Sequence, residues 1–480
     1  MIIDYYHPNG WDDVGYPSIY LRTRTDVALV TDTINPGEDG FIAPHCWIPA
    51  QVNHRRLSRV VSRYPGVACQ PDITALASDG KTELMRLDCP NPTVLYEIKN
   101  EITTFEADTP YEDQIMFNMF PDVNEIPDFV PRIWYFDMEW QPNGTVHEGA
   151  TTMIAIDDTH AECPIVFAWK EGQEGKTVDY MEKEGGYILN MYENEDDMHD
   201  GFIDHLNACD PDILIAHALM WADLPQLMRR LKDPNKLSPI NQVIKPRKNK
   251  GYRDTQQPIL GRLCFDTALA WQTGSGLETL WQKGGKGQFR DRKLATIAEH
   301  LELTEEFGEQ GAKMDADVFT WWIENFDEFV DYCVRDTTLL RRCSEKLNAI
   351  PFFIAMQKAH GVQFKSTHNV TNYLRGQFAR RTPLKAPTLF NRQRDTLTAA
   401  TVAETKPGRW KGVALLDFAS MYPRIILDAN LCLTTKRRGS GDGIRSVGNG
   451  THWDREQTGI LPAIVRDMME LRKEYKQKMK

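Results

Sequence analysis

Residues 133–139 read Ile-Trp-Tyr-Phe-Asp-Met-Glu, an apolar run that closes on two acids. Because alternate side chains of a β-strand share a face, Asp137 and Glu139 are expected to point one way while their apolar neighbours enter the core. Two carboxylates on one face repel each other unless a cation joins them, and Mg²⁺ favours oxygen ligands. Taken alone, the pair fits an exposed, polar-faced strand edge better, so a functional interpretation needs further acids.

A tyrosine and an acid stand four residues apart in a pattern that is helical from about residue 326 to 347. On a helix this spacing puts the Tyr332 hydroxyl and the Asp336 carboxylate on one face, within reach of the same point. The plain alternative is an ordinary helix that exposes Asp336 and partly buries Tyr332. This pair also gains meaning only beside other acids.

A third acid, Asp223, precedes an apolar helical pattern over residues 224–231. Pro225 and Gln226 follow it, and an acid with a glutamine three residues further on is typical of a helix N-cap with its capping-box partner. As an isolated residue, Asp223 is therefore predicted to be a cap.

The pattern of apolar, polar and turn-forming residues changes along the chain and predicts an α/β multidomain protein. Short β-like runs with Pro and Gly come first, then apolar runs alternate with helical patterns, and prolines mark a connector. The final part holds an apolar run at 413–416, predicted to be a buried strand, and a Pro-initiated helix from Leu461. The predicted division is a mostly β domain over 1–130, an α/β domain over 131–350, a connector over 351–400 and a last part over 401–480.

Composition limits the classes of protein that fit. The 480 residues are 41% hydrophobic, which is more than one core can hold. No uninterrupted apolar stretch approaches the ~18 residues of a membrane span, and the first residues lack a signal-peptide pattern, so we expect a cytoplasmic protein without a membrane partner. Nine cysteines without a Cys-x-x-Cys pair predict reduced thiols, with neither a zinc ribbon nor a disulfide framework.

The net charge of −12 argues against a protein that coats nucleic acid nonspecifically, since phosphate neutralisation supplies most of that affinity. An enzyme that holds metal ions with carboxylates can still be acidic if its basic residues are gathered locally. One such cluster runs from Lys245 to Arg253, and others lie at 380–385 and 436–438. Any one cluster alone is more often a solvated loop than a nucleic-acid contact.

The three acidic motifs, taken in order, resemble those of the DEDDy 3′→5′ exonucleases found inside family B DNA polymerases. Those enzymes carry Asp-x-Glu on a first strand, an Asp after an Asn-containing loop, and Tyr-x-x-x-Asp on a late helix. The resemblance implies an RNase H-like exonuclease domain in which Tyr332 orients the attacking water on a terminal phosphodiester. It also implies that two Mg²⁺ or Mn²⁺ ions are bound by Asp137, Glu139, Asp223 and Asp336.

A second resemblance covers residues 416–423, Leu-Asp-Phe-Ala-Ser-Met-Tyr-Pro, which are similar to the family B polymerase signature Asp-Phe-x-Ser-Leu-Tyr-Pro. It implies that Asp417 holds Mg²⁺ on an incoming deoxynucleoside triphosphate and that Tyr422 packs beneath the sugar and excludes a 2′-hydroxyl. Arg472 and Lys476 lie one helical turn apart and resemble the first fingers helix, whose basic residues grip the triphosphate. A strand followed by a turn and a Pro-started helix is the plain alternative.

The sequence also departs from the family in two places. The family usually has an Asn five residues before the second-motif Asp, whereas His217 stands six residues before Asp223. Residues 397–400 read Leu-Thr-Ala-Ala where a Tyr-x-Gly-Gly linker is common. The role of His217 and the switching between the two sites are therefore open.

Two motifs of complete family B enzymes, Lys-x-x-x-Asn-Ser-x-Tyr-Gly and Asp-Thr-Asp, do not occur. We therefore expect an incomplete palm with the first fingers helix, as in a split or truncated polymerase that is completed by a separately encoded C-terminal portion. The expected substrates are primer-template DNA, a single-stranded 3′ end and deoxynucleoside triphosphates, with Lys248, Lys250 and Arg253 contacting DNA. A stand-alone exonuclease and a non-catalytic DNA-holding subunit remain alternatives.

Overall fold

The computed structural model describes residues 1–7, 15–141, 148–171, 177–179, 186–246, 252, 257–270, 291–303, 318–367, 370–388, 404, 407–439, 444–445 and 450–478. The chain forms two compact units. The first consists of Met1–Asp13, Pro17–Ile42 and Glu112–Gly376, and the second of Val14–Tyr16, Ala43–Tyr111 and Gln377–Lys480. The four-part division drawn from the sequence stays a prediction.

The strands, in chain order, are β1 (Ile2–Tyr6), β2 (Ser18–Arg24), β3 (Leu29–Ile34), β4 (His45–Pro49), β5 (Ala68–Leu76), β6 (Glu83–Asp88), β7 (Ile133–Trp140), β8 (Thr151–Asp158), β9 (Ile165–Trp169), β10 (Thr177–Asp179), β11 (Ile188–Tyr192), β12 (Ile213–Ala216), β13 (Leu263–Asp266), β14 (Lys436–Arg438), β15 (Ile444–Arg445) and β16 (Thr451–Trp453).

The α-helices are α1 (His54–Arg63), α2 (Pro92–Ile98), α3 (Tyr111–Met119), α4 (Glu195–Cys209), α5 (Asp223–Arg230), α6 (Thr267–Ala270), α7 (Leu294–His300), α8 (Val318–Glu324), α9 (Phe326–Lys346), α10 (Ala349–His360), α11 (Val370–Arg381), α12 (Met421–Asp428) and α13 (Ile460–Lys478). Short 3₁₀ helices lie at Val123–Glu125, Pro234–Leu237 and Phe364–Ser366. No helix in the described part of the chain is long and apolar enough to cross a membrane.

The first unit is built on a mixed sheet whose described strands run in the order β10-β11-β9-β8-β7-β12-β13. Strand β7 pairs antiparallel with β8 and parallel with β12, and β12 pairs parallel with β13. Helix α9 packs against β7 and β8, and α4 packs against β8, β9 and β11. The alternation of apolar runs and helical patterns over 131–350 therefore predicted the α/β class correctly.

Strand β7 divides its side chains between two apolar clusters. Trp134, Phe136 and Met138 belong to the first cluster, whereas Ile133 and Tyr135 belong to the second. Because the side-chain period of a strand is two, the acids at 137 and 139 continue the row of Tyr135. The sequence-based prediction that they share a face is confirmed.

The N-terminal 130 residues, described over 1–7 and 15–130, contain β1 to β6 and α1 to α3. Strands β1, β2 and β3 form an antiparallel sheet that belongs to the first unit. Strands β4, β6 and β5 form another antiparallel sheet in the second unit. Strands thus dominate this part of the chain, as its sequence texture predicts.

The prediction of a buried strand at 413–416 is wrong. These residues form no strand, and Leu415 and Leu416 are 93% and 92% exposed. An apolar run becomes a buried strand only when neighbouring strands pair with it. None of the described strands is hydrogen-bonded to residues 413–416. The predicted final helix is confirmed as α13, which begins at Ile460.

Candidate active site

Strand β7 carries Asp137 and Glu139 in its second half. There the register pairs Asp137 with Ala155 and Glu139 with Met153 of β8, whereas the pairing with β12 ends at Tyr135. Neither acid is exposed. The interpretation of Asp-x-Glu as an exposed strand edge is therefore wrong.

Asp223 is not the cap that its local sequence predicts. Helix α5 begins at Asp223 itself, the N-cap position is Ala222, and no side chain caps the helix. Gln226 does not complete a capping box either, since its Nε2 donates to the carbonyl of Gly149 at 2.5 Å. Asp223 is buried and its Oδ2 has no hydrogen-bond partner, so this oxygen is available to a cation.

Helix α9 brings Tyr332 and Asp336 to the same region. The two side chains lie close enough for the charge of Asp336 to raise the pKa of Tyr332, and neither is exposed. On the same helix, the Cys333 thiol lies 3.8 Å from Oδ2 of Asp137 and donates to it. Asp336 is thus not the solvent-facing acid of an ordinary surface helix, and α9 contacts β7 through Cys333.

Electrostatic interactions show that these acids lie close together. Burial raises the pKa of Asp137 well above its usual range, and the charges of Glu139, Asp336 and Asp223 raise it further. Burial and the charge of Asp336 raise the pKa of Glu139 to about 8. The pKa of Tyr332 is also raised, by burial first and then by Asp336. Elements distant in sequence therefore converge on one cluster, called here the carboxylate site: Asp137, Glu139, Asp223, Tyr332 and Asp336.

As the side chains stand, the described residues contain no group of three or more His, Cys, Asp or Glu side chains placed to hold a metal ion. Buried carboxylates without a counter-ion repel one another, and this repulsion keeps them apart or protonated. The all-oxygen donor set is nevertheless the kind that Mg²⁺ and Mn²⁺ prefer. The donor chemistry fits a divalent cation, and the site would have to contract around one.

Two residues near the site escaped the sequence analysis, and His217 now has a described environment. Asp266 ends β13 and its charge raises the pKa of Asp223 after burial, while Cys333 contacts Asp137. Asp266 follows the apolar run Leu-Cys-Phe, a pattern like that before Asp137 that could have pointed to it. The His217 ring lies 3.0 Å from Thr267 Oγ1, and burial lowers its pKa to about 4, so the imidazole is neutral.

The residues predicted to bind a nucleotide all belong to the second unit, where they are exposed. Asp417 lies in the segment that forms no strand, and Tyr422 is the second residue of α12. Arg472 and Lys476 are solvent-facing on α13. Their relation to one another stays a prediction.

The predicted DNA-contacting residues Lys248, Lys250 and Arg253 lie outside the described residues. Tyr252, which is described, is buried, and its backbone N–H donates to the Met220 carbonyl at 2.7 Å. Met220 belongs to the turn that precedes Asp223. Tyr252 itself therefore lies against the turn that precedes Asp223.

Residues 337–480 match the family model described as DNA polymerase family B. Over these residues the chain is similar to the family B DNA polymerases. It is 25% identical over 330 residues to the DNA polymerase delta catalytic subunit of Oryza sativa subsp. japonica, covering 62% of this chain and 28% of that protein. It is 23% identical over 422 residues to the DNA polymerase of Pyrococcus glycovorans, covering 79% of this chain and 47% of that protein.

The fold is similar to that of the family B DNA polymerase from the hyperthermophilic archaeon Pyrobaculum calidifontis. The TM-score is 0.66 at 17% identity, over 100% of this chain and 63% of the archaeal one. The chain spans less than half the length of the relatives it matches, 28% for the rice protein and 47% for the Pyrococcus protein. The family-model match begins at residue 337, after every member of the carboxylate site.

Proposed function

We propose that this chain is the N-terminal part of a family B DNA-directed DNA polymerase and that its first unit is a 3′→5′ proofreading exonuclease. The observation that carries the proposal is the convergence of acids from β7, α5 and α9 in one buried place. Several buried carboxylates with raised pKa values destabilise the folded state, so a purely structural role does not explain them. Perturbed pKa values of this kind are common in sites that bind cations.

Asp137, Glu139, Asp223 and Asp336 would hold two Mg²⁺ or Mn²⁺ ions. When bound, such a pair activates water and stabilises both the attacking and the leaving oxygen of a phosphodiester. The unpartnered Oδ2 of Asp223 supports this assignment, because a buried carboxylate oxygen without a donor is costly unless a ligand completes it. Cation binding would also shift these acids to their ionised forms.

Tyr332 would orient the attacking water. Its side chain lies beside the acids, since the charges of Asp336, Glu139 and Asp137 all act on its phenol. The pKa of Tyr332 is raised, so the phenol keeps its proton near neutral pH and can donate it in a hydrogen bond. The tyrosine would therefore position water and not act as a base.

The substrate would be the single-stranded 3′ end of a primer. A site of four carboxylates repels phosphate, so DNA binding needs cations in the site and basic residues around it. Lys248, Lys250 and Arg253 are near in sequence to Tyr252, whose N–H donates to Met220 in the turn before Asp223. We propose that they contact DNA and help part the primer end from its template.

Nucleotide incorporation would use Asp417 for metal binding, Tyr422 for sugar selection, and Arg472 and Lys476 for the triphosphate. Two-metal nucleotidyl transfer needs at least two carboxylates, and the family's others lie in a motif that these 480 residues do not contain. Incorporation would therefore require a polypeptide that carries Asn-Ser-x-Tyr-Gly and Asp-Thr-Asp.

The exonuclease is tested by incubating the purified 480-residue chain with a 5′-labelled single strand and Mn²⁺ or Mg²⁺. We expect stepwise loss of 3′ nucleotides, and Asp137→Ala should reduce the rate by at least about 10³-fold because one of the carboxylates that would hold the cations is lost. DNA binding and the unfolding temperature should change little. The matched control is Asp157→Ala, which removes another buried acid from the neighbouring strand β8.

Asp157 pairs with Arg341 and is not among the site residues, so its variant should keep nuclease activity. Full activity of Asp137→Ala would show that the assignment is wrong. A wild-type chain that binds the strand without shortening it would favour the DNA-holding subunit instead.

A further inference from the structure

The turn before Asp223 is fastened to a buried acid on another strand. Asp266 is the last residue of β13, where it pairs in parallel register with Ala216 of β12, and it is 4% exposed. Its Oδ1 accepts the N–H of Ala218 at 3.2 Å and its Oδ2 accepts the N–H of Met220 at 2.9 Å. One carboxylate therefore bridges the end of β13 and the turn that leaves β12.

The backbone of this turn needs such a fastening. Ala218 has a φ of 72°, in the left-handed region that a residue with a Cβ disfavours. Its carbonyl accepts the N–H of Ala222 at 2.9 Å, which brings the chain directly to the start of α5. If Ala218 relaxed to a negative φ, this closure would be lost and Asp223 would move.

Asp266 also brings a charge close to the site. Its carboxylate bonds the backbone of Met220, three residues before Asp223, so a divalent cation held by Asp223 would be attracted by Asp266 as well.

We propose that Asp266 is a positioning residue of the carboxylate site: it holds Ala218 and Met220 so that Asp223 faces Glu139, and it strengthens cation binding at that end of the site. It touches neither substrate nor cation. This inference rests on the proposed exonuclease function. A purely structural aspartate would stabilise the unit without affecting how tightly the site binds a cation.

The test measures Mn²⁺ affinity directly, by electron paramagnetic resonance of free Mn²⁺ titrated with the full chain. Asp266→Asn keeps the shape and one acceptor oxygen but removes the charge and one hydrogen bond to the turn. We expect it to weaken Mn²⁺ binding about tenfold, and to lower the exonuclease kcat at saturating Mn²⁺ while KM for the DNA strand stays within twofold. The control Asp157→Asn, a buried acid remote from the turn in sequence, should change Mn²⁺ affinity less than twofold.

A second substitution separates positioning from general stability. Ala218→Gly removes the penalty of the left-handed backbone, since glycine adopts positive φ freely. In the Asp266→Asn background it should recover at least threefold of the lost Mn²⁺ affinity, whereas in the wild type it should change affinity less than twofold. A structural role for Asp266 gives no reason for this rescue.

Three outcomes decide the matter. If Asp266→Asn binds Mn²⁺ as the wild type does, or if Ala218→Gly rescues nothing in a folded double variant, the inference is overturned. If Asp266→Asn does not fold in either background, Ala218→Val, which keeps the acid and raises the cost of positive φ, must weaken binding at least threefold. A wild-type chain that binds no Mn²⁺ contradicts the proposed exonuclease itself, and the inference falls with it.

Discussion

Asp137 and Asp417 each stand just after an apolar run, yet the structure surrounds them very differently. Asp137 lies on β7, which is hydrogen-bonded to β8 on one side and β12 on the other. Asp417 lies in a segment that belongs to no strand, and Leu416 before it is 92% exposed. The two motifs are alike in sequence, so the difference arises from the elements that do or do not cover them.

This comparison shows that an acidic motif becomes a site only when other elements supply its partners. Around Asp137, helix α9 contributes Asp336 and helix α5 contributes Asp223, and each charge raises the pKa of Asp137. Around Asp417, the apolar side chains of Leu415 and Phe418 are exposed. Exposed apolar surface of this kind marks a place where further protein is expected to pack.

The largest effect is expected in primer extension, where the comparison predicts no activity without the missing motifs and full dependence on Asp417 when they are supplied. The 480 residues alone should incorporate no nucleotide, because Asp417 lacks the second metal-binding acid. Adding a polypeptide with Asn-Ser-x-Tyr-Gly and Asp-Thr-Asp should restore extension, and Asp417→Ala should then abolish it. Asp428→Ala, which alters an exposed acid at the end of α12, is the control and should leave extension intact.

Robust incorporation by the 480 residues alone would break the comparison. It would mean that the exposed segment around Asp417 is already a working site. Extension that survives Asp417→Ala in the completed enzyme would instead remove Asp417 from the proposed chemistry while leaving the exonuclease untouched.

A smaller effect is expected from the Tyr332 hydroxyl. Tyr332→Phe keeps the ring but removes the hydroxyl beside Asp336, so 3′-end digestion should slow about 10- to 100-fold, at or below the lower end of what positioned proton-handling groups contribute. Tyr187→Phe is the matched control, since the Tyr187 hydroxyl donates to another acid of α9, Asp331, at 2.7 Å. Equal losses in single-turnover digestion by both variants would show that only the stability of α9 matters.

The sequence predicted side-chain positions correctly where the residue period of a strand or helix alone determines which side chains share a face. The two-residue period of β7 and the four-residue spacing on α9 placed Asp137, Glu139, Tyr332 and Asp336 on usable faces. The resemblance to a family supplied the order of the motifs. None of this depended on distant parts of the chain.

It failed where the answer depends on tertiary neighbours. Asp223 matches a helix cap locally, but the turn fastened by Asp266 delivers Ala222 to the cap position instead. The run at 413–416 has strand composition but no paired neighbour. Asp266 was missed because its role comes from bonds to a turn about 50 residues earlier, a separation that no local pattern encodes.

A third prediction concerns the basic stretch from Lys245 to Arg253, which we propose contacts the DNA bound at the carboxylate site. Replacing Lys248, Lys250 and Arg253 by Glu should slow digestion of duplex ends about 3- to 10-fold more than digestion of single strands, because duplex ends must first be parted. The control reverses three exposed arginines of α1, Arg55, Arg56 and Arg59, which gives the same change in net charge. If the two triple variants slow both substrates alike, only general electrostatics is involved.

The smallest effect concerns a buried acid outside the site, Asp113 on α3. Burial, followed by the charge of Glu112, raises its pKa to about 6. Its Oδ2 accepts no hydrogen bond, and Arg375 Nη1 is 3.9 Å away. The raised pKa of Asp113 therefore occurs beside one acid, Glu112, which is itself paired with Lys365, and by the comparison above it indicates a cost in stability and not an active site.

The sign of that cost can be measured. Because the pKa of Asp113 is higher in the folded chain than its ordinary value of 3.8, the folded state binds more protons between about pH 4 and 6, and stability falls as pH rises through that window. At most about 3 kcal/mol of the free energy of unfolding is involved, since each unit of pKa corresponds to about 1.4 kcal/mol. Asp113→Asn removes the titration, so its stability relative to wild type should increase from pH 4 to 7 in urea unfolding, whereas the exposed Asp39→Asn should show no such trend.

Exonuclease activity of Asp113→Asn should equal that of the wild type. A large loss of activity would mean that buried acids outside the carboxylate site also contribute to catalysis. The distinction between the acids of that site and other buried acids of this unit would then not hold.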